Sequence, residues 1–290
     1  MGEPLVSVLI NCFNGEKYLS QAVESVITQT YKNWEIVFWD NQSSDSSAEK
    51  FQQYAKKDDR LRYFYSSKHT LLYEARNLAI KKTRGEFIAI LDADDWWHPQ
   101  KLEMQIPCFK DKKVGMVYSN YWFVQDNKKK IQYGGQLPHG EILKNLLKNY
   151  CIGMVTMVIR KSIFEELNIS FNKQYQIIGD FAFALSVAEK KKVNVVQEPI
   201  AYYRKHKQSL TEKELDKPIT ELKKWISSSS FEDNDLKYVK YNLYRRIFIR
   251  SINQKNILLS FIEILNYPIR MIFKIKLLFA GVNYLMKDKF

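Results

Sequence analysis

Phe87-Ile88-Ala89-Ile90-Leu91-Asp92-Ala93-Asp94-Asp95 is an apolar run that ends abruptly in three carboxylates within four positions. Bounded upstream by Arg84-Gly85, the apolar part reads as a buried strand. Working back toward the N-terminus, the same grammar recurs. Leu5–Asn11 is a short β-branched run closed by Asn14-Gly15, and Leu19, Ala22, Val23, Val26 and Ile27 then fall at helical spacing to about Thr30. Trp34–Trp39 is a second strand, ended by the polar cluster Asp40–Asp45, where Ser44 or Asp45 can cap a helix reaching about Lys57. Leu61–Tyr65 is a third strand, and Glu74–Lys82 is helical. Four strands alternating with helices predict βαβ units and a mostly parallel sheet flanked by helices, an α/β fold. Ligands of such sheets bind beyond the carboxyl ends of the strands, where the clusters at 11–15, 40–45 and 92–95 all fall.

The pattern loosens after Pro99. Met116–Phe123 reads as a strand, Lys128–Lys130 as a turn, Gly140–Asn149 as a helix and Met154–Ile159 as a strand. Gly179-Asp180 precedes an apolar helix through Ala188, and Val193–Val196 makes a last strand. From 211 onward the reading is helical, so residues 1–210 are expected to form one catalytic domain and 211–290 a basic helical appendage.

Of the formal charge of +13, residues 217–290 carry +8, from 14 Lys/Arg against 6 Asp/Glu. A basic end of this kind suits an anionic partner or a solvated face. Three scattered cysteines, Cys12, Cys108 and Cys151, predict neither a disulfide framework nor a zinc site. Cys12 reads as a small core residue. No signal peptide and no membrane-spanning run is expected, which places the chain in the cytoplasm or on the cytoplasmic face of a membrane.

Three carboxylates at a strand end repel one another and invite a cation. Mg²⁺ or Mn²⁺ takes few protein carboxylates and fills its shell with water and phosphate oxygens, so the Asp92-Ala93-Asp94-Asp95 cluster is the candidate cation site. The competing reading is an acidic helix N-terminus. Asp40 could accept from a base N–H, since a carboxylate only accepts. Arg76 is a base or phosphate contact, or an ordinary helix-surface arginine. Partial burial would make Asp180 a general base, the alternative being a helix N-cap. Arg204, Lys205, His206, Lys207 and Ser209 read as a basic loop able to fold over phosphates, with His206 a metal ligand, or as a solvated charge run.

Together these segments resemble the family 2 inverting glycosyltransferases of the GT-A fold, over about residues 5–210. The resemblance rests on Val6-Ser7-Val8-Leu9-Ile10-Asn11-Cys12-Phe13-Asn14-Gly15-Glu16-Lys17-Tyr18-Leu19, Ser25-Val26 with Gln29-Thr30-Tyr31, Asp40, Ser44-Asp45, Arg76-Asn77, Gly85-Glu86 and the aspartate cluster. It implies a nucleotide-sugar donor, usually UDP-linked, contacted by Asn11, Phe13, Asn14, Glu16, Asp40, Arg76, Asp92, Ala93 and Asp94. It also implies Mn²⁺ or Mg²⁺ on Asp92 and Asp94 with His206, Asp180 as catalytic base, and His206 to Ser209 as the late His-x-x-Ser loop. Two departures stand out. Asp40-Asn41-Gln42-Ser43 replaces the usual Asp-Asp-Gly-Ser, and Gly179-Asp180 replaces the frequent Glu-Asp.

The expected reaction is transfer to a hydroxyl of a saccharide or lipid-linked acceptor, with inversion. A nucleotidyltransferase would want a Gly-rich loop after the first strand, where Gly15 stands alone, and no GxGxxG follows Leu5–Asn11. A non-catalytic scaffold on a transferase fold sits poorly with the retained Asp92, Asp94, Asp95 and Asp180. No nucleic-acid module is recognisable. In the tail, Arg245, Arg246, Arg250, Arg270, Lys274 and Lys276 alternate with Ile247, Phe248, Ile249, Ile272 and Phe273. This pattern suits a membrane interface, a homodimer partner or packing on the catalytic domain.

Overall fold

In the computed structural model, described over residues 2–126, 128–253, 271–276 and 278, the first half follows the βα alternation. Strand β1 (Val6–Cys12) leads to helix α1 (Leu19–Ile27), β2 (Trp34–Asp40) to α2 (Ser47–Ala55), β3 (Leu61–Tyr65) to α3 (Leu72–Ile80), and β4 (Phe87–Asp92) ends in the aspartates. These four strands are parallel in the order β3-β2-β1-β4. β1, β2 and nearly all of β4 are buried, as continuous apolar strands of a doubly covered sheet should be.

A short β5 (Trp96–Trp97) and α4 (Lys101–Gln105) follow, then β6 (Val114–Gln125) and β7 (Lys128–Ile131). Next come α5 (Leu143–Lys148), β8 (Val158–Arg160), α6 (Ile163–Glu166), α7 (Gly179–Lys190) and β9 (Lys192–Arg204). The sheet continues from β4 through β8, β6 and β9 to β5, with β7 on β6. β8 is antiparallel to both β4 and β6, so the sheet is mixed and only its first half is parallel throughout. Three local expectations change. Lys128–Lys130 belong to strand β7, where exposed lysines suit an unprotected sheet edge. Met154–Thr156 is a 3-10 turn before β8. β9 runs well past Val196 to Arg204, held beside β6 through three register shifts.

Side chains on alternate positions of β1 face opposite layers. Val6, Val8, Ile10 and Cys12 join Leu19, Ala22, Val23 and Val26 of α1, Phe51 of α2 and Leu102 of α4 in one core. Cys12 is 2% exposed and burial pushes its thiol up to about 11, so it is a core residue and not a nucleophile. On the opposite face α3 covers β1 and β2, and an aromatic cluster joins Tyr73 on α3 through Phe171, which lies between α6 and α7, to Phe183 of α7.

The strands' amino ends are tied by a buried polar hub. Glu35 on β2 accepts from Ser7 Oγ at 2.6 Å, from the Arg84 N–H at 2.7 Å and from Arg62 at 2.8 Å. Ser7 Oγ in turn accepts from the Gly85 N–H at 2.8 Å. A Cβ at position 85 would lie 2.6 Å from both Leu5 O and Ser7 N, so only glycine lets the chain enter β4 this close to β1.

The chain divides into two compact units, Met1–Leu143 with Cys151–Lys213, and Lys144–Tyr150 with Glu214–Phe290. The second contains α9 (Lys217–Ser228) and α10 (Asp233–Asn253), while α8 (Leu210–Lys213) closes the first. Within the second unit Arg250 clamps Asp216 through Nε at 2.7 Å, and Phe273 packs on Tyr238 and Tyr241. Most of the basic-apolar stretch 257–285 lies outside the described residues. Among the described residues no helix is long and apolar enough to cross a membrane.

Burial raises the pKa of Glu35, but its three donors more than offset this and hold the carboxyl below its ordinary value. A carboxyl depressed on folding stabilises the protein above its unfolded pKa, and that contribution is lost as pH falls through the folded value. Glu35→Gln is expected to cost about 2 kcal/mol at neutral pH, since Arg62 keeps some solvent exposure. The gap to wild type should narrow below about pH 4. Urea denaturation at both pH values measures it.

Candidate active site

The carboxyl ends of β1, β2 and β4 and the far end of β9 bring the acidic and basic candidates into one unit. Asp92 closes β4 opposite Asn11 of β1 in the parallel register. Arg76 reaches it from α3 in a direct ion pair and is itself only 1% exposed. Arg76 is therefore no helix-surface arginine; it is a buried cation whose charge is matched by the tip of β4. Asn77, the next residue, holds the backbone of Phe171 through both its amide atoms, at 2.7 and 3.1 Å.

Ala93 directs its methyl into the core, leaving its backbone for any ligand. Asp94 Oδ2 lies 2.9 Å from Nε2 of His206, although 112 positions separate them. Asp95 turns inward, 2% exposed, and accepts the Arg204 N–H at 2.8 Å. Burial, then the charges of Asp94 and Asp92, push its carboxyl well above the carboxylate range.

Arg204 was expected in a phosphate loop. It instead ends β9, donating Nε to the Asp94 carbonyl at 2.9 Å and a guanidinium N–H to Gln21, with its guanidinium between the rings of Tyr18 and Trp96. A planar guanidinium suits such a stacked, multiply bonded place, and it anchors the aspartate turn. Ser209 is 7% exposed and its hydroxyl accepts the His206 N–H at 3.3 Å, while its own N–H reaches the His206 carbonyl at 3.0 Å. It shapes the turn that aims His206. Lys207 stays exposed.

The loops after β1 and β2 are clasped together. Asn14 N donates to Ser43 Oγ, Gly15 N to Ser47 Oγ and Glu16 N to Asp45 Oδ2, each at 3.0 Å. Asn14 Oδ1 accepts the Ser44 N–H at 2.8 Å and Glu16 accepts the Ser46 N–H at 3.1 Å. Asn14 and Glu16, expected at the donor, thus spend their side chains on the clasp. Gln42 adopts φ 71°, so the turn keeps the left-handed backbone that glycine would adopt without strain.

Asp40 corrects a further expectation. It is 0% exposed, with Oδ1 accepting the Ser43 N–H at 2.7 Å and Oδ2 the Tyr63 hydroxyl at 2.7 Å. It supports the turn from beneath. The ring next to that turn is Phe13, 54% exposed and packed 4.4 Å from His69. His69 lies 2.9 Å from the Asn41 carbonyl through Nδ1, and Asn41 is bound to Thr70 by both amide atoms. His69 carried no sequence signal, because the segment 66–70 meets the turn only through folding.

Asn11 is 8% exposed, and neither of its amide atoms has a partner among the described residues. The same holds for Trp39 Nε1, beside Asn11 in the β1–β2 register, and for Arg76 Nε. Buried polar atoms seldom stay unpaired, so this face at the strand ends is poised to bind polar groups.

Asp180 stands in the first turn of α7, partly covered. Burial raises its carboxyl to about 6, the Phe181 N–H and the charge of Arg76 draw it down, and the charge of Asp92 pushes it back up. Asp180 therefore shares one electrostatic site with the Arg76–Asp92 pair. Tyr121 packs edge-on to both Tyr133 and Tyr203, and Asp180 is among the charges that raise the pKa of Tyr121 and Tyr133.

Asp92, Asp94 and Asp95 bring to the tip of β4 carboxyl oxygens of the kind a hard divalent cation takes, and such ions need few of them. Among the described residues no group of three or more His, Cys, Asp or Glu converges on one point.

A mixed sheet in this order, with flanking helices and an acid cluster at the carboxyl end of β4, has the GT-A fold. The chain belongs to glycosyl transferase family 2, whose family model matches residues 7–168, and it is a glycosyltransferase. It is 29% identical over 246 residues to the UDP-Glc:alpha-D-GlcNAc-diphosphoundecaprenol beta-1,3-glucosyltransferase WfgD of Escherichia coli, covering 84% of this chain and 92% of that one. Against the putative teichuronic acid biosynthesis glycosyltransferase TuaG of Bacillus subtilis it is 30% identical, covering 54% of this chain and 62% of that one. Among solved structures, mannosyltransferase PcManGT from Pyrobaculum calidifontis, in complex with GDP-Man and Mn²⁺, has a TM-score of 0.67 at 14% identity, covering 98% of this chain and 81% of that one. S. aureus TarS 1-349 in complex with UDP-GlcNAc has a TM-score of 0.58 at 19% identity, covering 96% and 71%.

Asp40→Asn keeps an acceptor for the Ser43 N–H and disturbs only the bond to Tyr63, so a stability loss of about 1 kcal/mol is expected. The relative turnover of UDP- and GDP-sugars should stay as in wild type. A changed base preference, read in a donor-competition assay, would return Asp40 to the ligand.

Proposed function

We propose that this glycosyltransferase moves a sugar from a UDP-linked donor to a hydroxyl of a saccharide or lipid-linked saccharide, in one inverting displacement. The observation that carries the reading is Asp180. It is a partly buried carboxyl with its pKa raised to about 6, in the same electrostatic site as the Arg76–Asp92 pair. A base with this pKa is ionised at neutral pH yet basic enough to take a proton from a hydroxyl as that hydroxyl attacks.

The donor's diphosphate would lie at Asp92, Asp94 and His206, and its nucleoside at the strand ends near Asn11 and the Phe13 ring. Unpaired Asn11 and Arg76 Nε offer polar partners there. Mn²⁺ or Mg²⁺ held by Asp92 and Asp94, with His206 beside them, would neutralise charge developing on the departing nucleotide diphosphate. The residues of this chain orient the donor, and Asp180 receives the acceptor's proton. Exit of the leaving group on one side of the anomeric carbon and attack on the other inverts its configuration. A UDP donor is supported by the substrate named for WfgD and the ligand of the TarS complex, although PcManGT was solved with GDP-Man. The diphosphoundecaprenol acceptor named for WfgD supports a lipid-linked acceptor, and with it a working place at a membrane surface reached through the basic C-terminal helices.

Asp180→Asn is expected to lower transfer by at least about a thousandfold while donor affinity, read by calorimetry, changes little. In wild type log kcat should fall with unit slope as pH drops below about 6, because protonated Asp180 cannot accept the proton. Normal turnover in the variant, or a flat profile from pH 7 to 5, removes Asp180 from the reaction. Separately, chelator should stop transfer and added Mn²⁺ or Mg²⁺ restore it, followed by nucleotide diphosphate release; full activity in EDTA would strip Asp92 and Asp94 of their metal role.

A further inference from the structure

Helix α3 reaches both halves of the site from one face. Arg76 pairs with Asp92 at the donor side, and Asn77 pins the Phe171 backbone that leads toward α7. One turn earlier, Tyr73 lies against the start of α7 itself. Its hydroxyl accepts the Asp180 N–H at 3.0 Å and donates to the Ile177 carbonyl at 3.4 Å. Tyr73 is 3% exposed, and burial raises its pKa, so the hydroxyl keeps its proton and both bonds are available to it.

Gly179 makes this arrangement sterically possible. A Cβ built there would land inside the Tyr73 ring, against Cε2, Cδ2 and Cζ. The ring is locked on its other sides by Phe171, stacked at 5.6 Å, and by the Arg76 guanidinium, 5.0 Å from its centroid. The glycine before Asp180 is therefore half of an interlock: the space a side chain would fill at 179 holds the Tyr73 ring. One buried residue touches both the guanidinium that pairs with Asp92 and the backbone N–H of Asp180.

We propose that Tyr73 is a positioning residue for transfer, setting the place of Asp180 relative to the donor-side Arg76–Asp92 pair through the Gly179 interlock. This rests on the reading of Asp180 as the base. Tyr73 touches neither substrate nor reacting atoms, so its effect falls on the chemical step and not on binding. A base displaced by a fraction of an ångström loses rate without losing ground-state affinity.

Tyr73→Phe tests this directly, because it keeps the ring over Gly179 and removes only the hydroxyl. The expected result is a fall of about tenfold in kcat, with KM for donor and acceptor within about twofold of wild type. Gly179→Ala has no room for its methyl and is expected to lower the thermal midpoint. Combined with Tyr73→Leu it regains space, so the midpoint recovers while kcat stays low. Wild-type kcat in Tyr73→Phe or in the double variant overturns the proposal, as does a loss confined to KM. Asp180→Asn separates the two ideas. Transfer surviving in that variant sinks the base reading, whereas a dead Asp180→Asn beside an unimpaired Tyr73→Phe sinks the role of Tyr73 alone.

Discussion

Arg76 is a cation 1% exposed in the middle of a nine-residue helix, and its ion pair with Asp92 joins α3 to the tip of β4. A buried guanidinium left unpaired would cost several kcal/mol, so the position of α3 over the sheet depends on this contact. Much follows from it. Tyr73 and Asn77, neighbours of Arg76 on the helix, can then reach α7 and the Phe171 backbone. Asp92 in turn is held at the carboxyl end of the sheet, beside Asn11 of β1.

The opposite side of the site is organised by backbone bonds more than by charge. Asn14 at φ 55° and Gln42 at φ 71° bend the loops after β1 and β2 toward each other, and serine hydroxyls and carboxylates pair their N–H groups. A Cβ at Gly15 would lie 2.8 Å from Cys12 Sγ, so glycine allows the first loop to pass close over the strand end. Several polar residues that look like ligand contacts in a linear reading are thereby consumed in holding the loops, as Asp40 also is. Asn11 and Arg76 Nε, by contrast, keep buried polar atoms without partners among the described residues.

The two departures from the family pattern have local physical accounts. Gln42 takes a left-handed conformation at some steric cost and preserves the turn that glycine usually makes. Gly179 gives up a side chain beside Asp180, and the Tyr73 ring occupies the space. Each change is compensated by neighbours far away in sequence, which is why neither could be judged from the motif by itself.

By itself the sequence determined the βα rhythm of the first half, because apolar period and loop chemistry are local and β1, β2 and nearly all of β4 are buried. It also placed the aspartate cluster at a strand's carboxyl end, since a strand must stop where charges begin. Its reach failed where long-range pairing overrides local preference: β9 extends to Arg204 beside β6, and Lys128–Ile131 pair as an edge strand despite their charge. Tertiary structure alone decided that Arg76 is buried, that Asp94 meets His206, that Asp40 faces inward, and that Tyr73 meets the start of α7. Those facts concern which side chains share a desolvated space, and desolvation is a property of the assembled fold that no single stretch of residues encodes.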